Sequence, residues 1–441
     1  MDKKKIPGFR TVPRTGVIYV MHKATALGFS YENPEWANLG QGAPEVGELE
    51  GAPPRMNEIT IDPSRHEYGP VTGQVELRQK VADLYNELYR KNKKSKYTYE
   101  NVSLAGGGRI ALTRLAAALG NINMGHFLPD YTAYEELLSV FKAFIPIPIL
   151  LDPELRYQIP LRHLRREVLG RGLKALLVSN PCNPTGQVVE GTQLHQWVEM
   201  ATELRCSLIF DEFYSHYIYT GPTDGDPKMV SAAEYVNDVN EDPVVIVDGL
   251  TKNWRYPGWR ISWTLAPKPV IDTIASAGSF LDGGANNPFQ NHVLELLEPE
   301  HVIQETVATQ RRFRAKRDYV LKRLHRMGIQ VESEPTGTFY VWANLERLPE
   351  PLNDGISFFE AGLEEKVITV PGAFFDVDPE RRRSSGRYRP YARISFGPKM
   401  ETLEKGLDAL ERVINKHRGQ TIVVPPANGY AADVEKTTIE S

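Results

Sequence analysis

The feature that most constrains this chain is a series of short apolar runs, each ending in a sharp turn and separated by stretches of helical spacing. Leu173-Lys-Ala-Leu-Leu-Val-Ser179, Ser207-Leu-Ile-Phe210 and Val244-Val-Ile-Val247 are too short for helices, and their branched aliphatic residues suit strands buried on both faces. Residues 194–204, between the first two runs, have helical periodicity. Strands alternating with helices in this way predict an α/β fold with a doubly wound, mainly parallel sheet. In such sheets ligands bind beyond the C-terminal ends of the strands. Those ends carry Asn180-Pro-Cys-Asn-Pro-Thr-Gly186, Asp211-Glu-Phe-Tyr214 and Asp248-Gly-Leu-Thr-Lys252.

At 441 residues the chain exceeds one ordinary core, which predicts a large domain and a smaller one. With 52 basic and 56 acidic residues, a net charge of −4 gives no reason to expect a nucleic acid or a membrane as partner. Two cysteines, Cys182 and Cys206, cannot build a disulfide framework and fit a reducing compartment. The basic start has no apolar segment behind it, and no run reaches membrane-spanning length, so a cytoplasmic protein is expected. No metal is expected.

The remaining elements follow in order. Residues 1–35 read as an arm with a short amphipathic piece at 17–27, and Val75, Leu77, Val81, Leu84, Tyr85 and Leu88 recur at helical spacing. Residues 102–119 give a short strand, three glycines and an Ala/Leu-rich helix. The run Phe127-Leu-Pro-Asp-Tyr131 reads as a helix start, and the prolines of Ile145-Pro-Ile-Pro-Ile-Leu-Leu151 place that strand at a sheet edge. Further on come a long charged helix at 305–327, strands at 328–332 and 337–342, a strand around Arg393, and a last helix at 400–417. The basic run 381–389 reads as a solvated hairpin tip, and 419–441 as a flexible tail.

Lys252 lies just past a buried strand, where partial desolvation lowers an ammonium pKa and makes the amine nucleophilic towards carbonyls. A cofactor held by a lysine Schiff base needs an anion site, a carboxylate for a ring nitrogen, donors to a phenolate oxygen and a flat group against its face. The chain supplies Gly107, Gly108, Arg109 and Arg260 for a phosphate, Asp211 for the pyridinium, Asn183 and Tyr214 for the phenolate, and Tyr131 for the face. That set of requirements describes pyridoxal 5'-phosphate.

The motifs Asn180-Pro-Cys-Asn-Pro-Thr-Gly186, Asp211-Glu-Phe-Tyr214, Lys252 with Pro257-Gly-Trp-Arg260, and Tyr391-Ala-Arg-Ile-Ser-Phe-Gly397 resemble those of the class I/II aminotransferases in order and spacing, over roughly residues 35–418. The resemblance implies the fold type I architecture: a large domain with a mainly parallel seven-stranded sheet, a small α/β domain, and a homodimer with shared active sites. It places an arm and part of the small domain at 1–50, the large domain at 51–300, the small C-terminal domain at 301–418 and the tail at 419–441. It makes Lys252 the Schiff-base lysine and proton shuttle, and Arg393 the partner of the substrate α-carboxylate. Tyr68 matches a tyrosine that reaches the other subunit's phosphate, and Gly42 a small residue flanking the substrate.

Two positions depart from the family pattern. Gly249 stands where a Ser or Thr usually contributes to the phosphate site, three residues before the lysine. Asp282 falls at or near the place of an arginine that, in dicarboxylate-specific members, reaches the substrate's distal carboxylate. Two readings of Asp282 stand: an unpaired carboxylate that recruits a cationic substrate, or a turn residue before Gly283-Gly284. The implied activity is transfer of an amino group from an α-amino acid to a 2-oxo acid. Its alternative is a cyclase, eliminase or oxygen-using oxidase or hydroxylase acting on a cationic amino acid such as arginine. A non-catalytic sensor of the same fold is disfavoured by the retained Lys252.

Overall fold

The computed structural model describes residues 16–223, 225–384 and 386–419, with Gly8, Phe9 and Val12. Apart from Gly419, the expected tail lies outside the described residues. The chain runs through α1 (Gly16–Ala26), β1 (Ala37–Asn38), α2 (Val75–Tyr89), β2 (Val102–Ala105), α3 (Gly108–Ala118), β3 (Asn123–Leu128), α4 (Tyr134–Val140) and β4 (Ile145–Leu150). It continues with α5 (Leu161–Gly170), β5 (Leu173–Ser179), α6 (Gly191–Leu204), β6 (Ser207–Asp211), β7 (Val244–Gly249), β8 (Ser262–Leu265), α7 (Lys268–Leu281), α8 (Asn287–Leu296) and α9 (Pro299–Arg326). The last elements are β9 (Tyr340–Asn344), α10 (Gly355–Glu364), β10 (Val367–Ile368), β11 (Val370–Pro371), β12 (Tyr391–Ser395) and α11 (Met400–Arg418).

Seven strands form the large sheet in the order β2-β8-β7-β6-β5-β3-β4, parallel except for β8, which runs antiparallel to both neighbours. The two faces of the central strands feed two cores. Leu176 and Val178 pack with Phe210 and Ile246 on one side, while Leu177 packs with Ile209 and Val247 on the other. Such strands must be apolar throughout, which is why their sequences read as unbroken runs. A three-stranded antiparallel sheet, β11-β12-β9, carries Arg393, and β1 pairs with β10.

β4, with Pro146 and Pro148, is the edge strand as its prolines require. β3 differs from the sequence reading, because Phe127 and Leu128 close this strand and the helix starts only at Tyr134. Gly125 and His126 hide the strand, for they carry no β-branched signal. Gly125 is nonetheless required, since a Cβ there would crowd Leu176, Leu173 and Ile149 of both neighbouring strands. The strand expected at 328–332 amounts to one bridge, between Gln330 and Asn344. In the basic run, Arg383 is no solvated tip residue: it pairs with Asp376 at 2.6 Å. Among the described residues no helix is long and apolar enough to cross a membrane.

Candidate active site

The C-terminal ends of β5, β6 and β7 face the Arg393 strand across a cavity of about 420 Å³. Its lining unites Lys252, Asp211, Tyr214, Asn183, Arg260 and Arg393. Gly42, Gly108, Arg109 and Tyr131 line it as well. Gly107 stands immediately behind as the N-cap of α3.

Lys252 is part-buried, and its Nζ donates to the Gly42 carbonyl. Burial, reinforced by the nearby guanidiniums of Arg393, Arg109 and Arg260, pushes its ammonium down to about 7, with Asp211 acting in the opposite sense. Asp211 is buried at the end of β6, and burial raises its carboxyl to about 6 against the pull of hydrogen bonds from Tyr134 and the Phe213 N–H. The Tyr134 hydroxyl donates to Asp211 Oδ2 at 2.8 Å.

Arg393 is 1% exposed. Its Nη1 donates to Asn183 Oδ1 at 2.9 Å and its Nη2 to the Gly40 carbonyl at 2.7 Å, while Nε has no partner among the described residues. The guanidinium lies over the Tyr340 ring, 4.1 Å from its centroid. The Tyr340 hydroxyl in turn meets that of Tyr214 at 2.8 Å.

At the opposite end, α3 begins against Arg260. Gly107 has φ +97°, and a Cβ there would collide with the Arg260 guanidinium. A Cβ at Gly108 would collide with Phe213. Arg260 itself holds a left-handed φ of +56°, uncommon for a non-glycine residue. Arg109, in the first turn of α3, donates to the Tyr131 hydroxyl at 3.1 Å. A helix N-terminus and two guanidiniums therefore converge on one end of the cavity.

The sequence profile described as "Aminotransferase class I and II" matches residues 34–410. The chain belongs to that family. As a pyridoxal-phosphate-dependent aminotransferase of fold type I, it is 26% identical over 400 residues to the aspartate aminotransferase of Pyrococcus abyssi, covering 86% of this chain and 92% of that one. It is 27% identical over 366 residues to the probable N-acetyl-LL-diaminopimelate aminotransferase of Bacillus subtilis, covering 81% and 84%. The fold matches that of Thermus thermophilus aspartate aminotransferase solved with maleate, with a TM-score of 0.73, 24% identity, and coverage of 92% and 100%.

Besides Gly107, two candidate residues of this aminotransferase lie outside the cavity lining. Tyr68 is fully exposed on a surface loop. Asp282 is not the unpaired carboxylate that would recruit a cation. It caps the C-terminal end of α7, and its oxygens bind Arg114, Nε to Oδ2 at 2.7 Å and Nη2 to Oδ1. The Gly284 N–H also donates to Oδ1 at 2.9 Å, so the turn reading holds and the charge is committed within the chain. Conversely, Tyr340 and the Tyr134–Asp211 bond were not legible in advance. Tyr340 in Gly337-Thr-Phe-Tyr340-Val-Trp342 reads as a packing residue of a strand. The signal for Tyr134 was its place three residues after Tyr131, which put both rings near the same strand end.

Gly249 has a steric explanation. A Cβ there would lie 2.5 Å from the Ser262 Cα and 2.6 Å from the Ile261 carbonyl oxygen, where β7 and β8 pair. No side chain fits between them.

Proposed function

We propose that this enzyme moves the amino group of an α-amino acid to a 2-oxo acid, with Lys252 as the residue that binds the cofactor covalently. The observation that carries the reading is the sharing of one cavity by Lys252, Asp211 and Arg393. The residues present fit pyridoxal phosphate. The cradle at Gly107 and Gly108 leaves no room for side chains, and the charge converging there from Arg260, Arg109 and α3 suits a phosphate. When bound, the cofactor supplies an aldehyde carbon and a ring that accepts the electron pair released at the substrate Cα.

The chain's own residues do the rest. Asp211, fixed by Tyr134, would hold a proton on the pyridine nitrogen of the bound cofactor, and Tyr214 and Asn183 would donate to its phenolic oxygen. Arg393 grips the α-carboxylate with the remaining N–H groups of a planar guanidinium whose Nη1 and Nη2 are already held by Asn183 and Gly40. Lys252 would serve as the base that takes and returns the substrate Cα proton, a task for an amine whose pKa lies close to neutrality.

Amino acids and 2-oxo acids are the proposed small-molecule partners. A homodimer would give the exposed Tyr68 its role, at the phosphate of the other subunit's site. The proposed organisation is a large cofactor-binding domain at 51–300 with a small domain from the N-terminal segment and 301–418, in a cytoplasmic protein. Reduction of the cofactor-loaded protein with borohydride, followed by peptide mapping, tests the covalent assignment. The label belongs on Lys252 and disappears in Lys252→Ala; a label elsewhere rejects it.

A further inference from the structure

A second, much smaller cavity lies behind the wall that carries Tyr131. It measures about 30 Å³ and is bounded by the residues that follow β3, by Gln158, and by Trp197 of α6. Three buried polar atoms of its lining residues have no partner among the described residues: Asp130 Oδ2, Gln158 Oε1 and Trp197 Nε1. The other polar side chains around it are committed elsewhere. Tyr157 donates to Glu332 at 3.0 Å, Gln187 to the Glu334 carbonyl at 3.0 Å, and Ser179 to the Pro181 carbonyl at 3.3 Å. Gln158 is oriented by its own network, because Nε2 donates to the Val188 carbonyl at 3.3 Å and leaves Oε1 as the group without a partner.

We infer that this cavity is a built site for one water molecule, bonded to Asp130, Gln158 and Trp197. A water needs about 10–15 Å³ of such space and two to four polar partners. The cavity meets both conditions. The chemistry also balances, since the indole N–H can only donate and the two oxygens can accept. Water accepts from Trp197 and donates to both oxygens. Burial, with Asp211 nearby, pushes the Asp130 carboxyl well above the usual range, against the Tyr131 and Phe127 N–H groups. When that carboxyl is protonated it donates to the same water, which still donates to Gln158 and accepts from Trp197.

The alternative is three orphaned polar groups in one spot, each costing about as much as a lost buried hydrogen bond. The site also touches the catalytic wall. Asp130 Oδ1 accepts from the Tyr131 N–H at 2.8 Å, and the Asp130 N–H donates at 3.0 Å to the carbonyl of Phe375, whose ring lies under the Arg393 guanidinium. The water completes the bonding of the Asp130 carboxyl, while the link to Phe375 is made by the Asp130 backbone.

A crystal structure of the full chain, at a resolution that shows individual waters, tests the inference. Density for one water at about 2.7–3.2 Å from all three atoms is the expected result. A dry cavity, or Asp130 bonded directly to Gln158 or Trp197, overturns it. The double variant Gln158→Leu with Trp197→Phe removes two of the three partners, and the peak is expected to vanish. Trp197→Phe alone serves if the double variant does not fold, and there the water is expected to move off the indole position. A peak unchanged in either variant shows that these groups do not hold it.

Discussion

Arg393 and Asn183, 210 residues apart in sequence, meet at 2.9 Å inside the active-site cavity. The bond joins the strand proposed to bind substrate to the loop proposed to bind the cofactor's phenolic oxygen, so a shift in one is felt by the other. Replacing Arg393 with Lys keeps the charge and loses the planar fork. A fall in kcat/KM of about 10²-fold or more is expected for every amino donor, as when one partner of a buried charged pair is lost. Steady-state kinetics with several donors would show whether the loss is common to all.

The low pKa of Lys252 has a reactive and a thermodynamic signature. Reaction of the cofactor-free protein with an aldehyde should speed up as pH rises through about 7 and then level off, whereas an ordinary lysine keeps accelerating towards its pKa of about 10.4. The folded value lies below the unfolded one, so between about 7 and 10.4 the unfolded chain binds more protons and stability rises with pH. Lys252→Met should therefore be more stable than the parent near neutrality, with the gap closing as pH rises. Thermal melts across that range measure it.

Asp282 and Arg114 form an ion pair whose side chains are 14% and 1% exposed. Asp282→Ala strands the buried guanidinium, and a loss of about 3–5 kcal/mol is expected from breaking such a pair. Activity with arginine and with alanine as donors should fall by the same factor. A selective loss with arginine would restore Asp282 as a cation-recognising group.

Gly249→Ser would insert the residue usual in the family. Because its Cβ meets backbone at 2.5–2.6 Å, the substitution should lower Tm and leave cofactor affinity no better than in the parent. Spectroscopic titration with pyridoxal phosphate measures the second quantity. Tighter binding would show that β7 and β8 can part at this point.

The candidate site was legible where backbone rules and local chemistry coincide. The buried run before Lys252, the prolines after Ser179 and the three glycines before α3 each break regular structure where a ligand can approach. Pairings between distant aromatic residues gave no such signal. Tyr214 and Tyr340 are 126 residues apart, and a tyrosine within a strand looks the same in sequence whether its hydroxyl is used or merely tolerated. Arg114 shows the same limit, for in an Ala/Leu-rich helix it reads as a wet charge. It is buried because Gly278 of α7 has no side chain, and a Cβ there would lie 2.7 Å from the guanidinium. The fold was readable from the apolar runs, except at β8, which none of them signalled, at 328–332, where one bridge forms instead of a strand, and at β3, where Gly125 answers to packing and not to strand propensity.

The most direct test of the account is an anaerobic absorbance titration of the cofactor-loaded protein, first with amino acids and then with a 2-oxo acid. The account expects the band of the lysine-bound cofactor to be replaced by that of pyridoxamine phosphate on adding the correct amino acid, and to return on adding the oxo acid. A spectrum that no amino acid changes, or one that changes but returns only when oxygen is admitted, would contradict it.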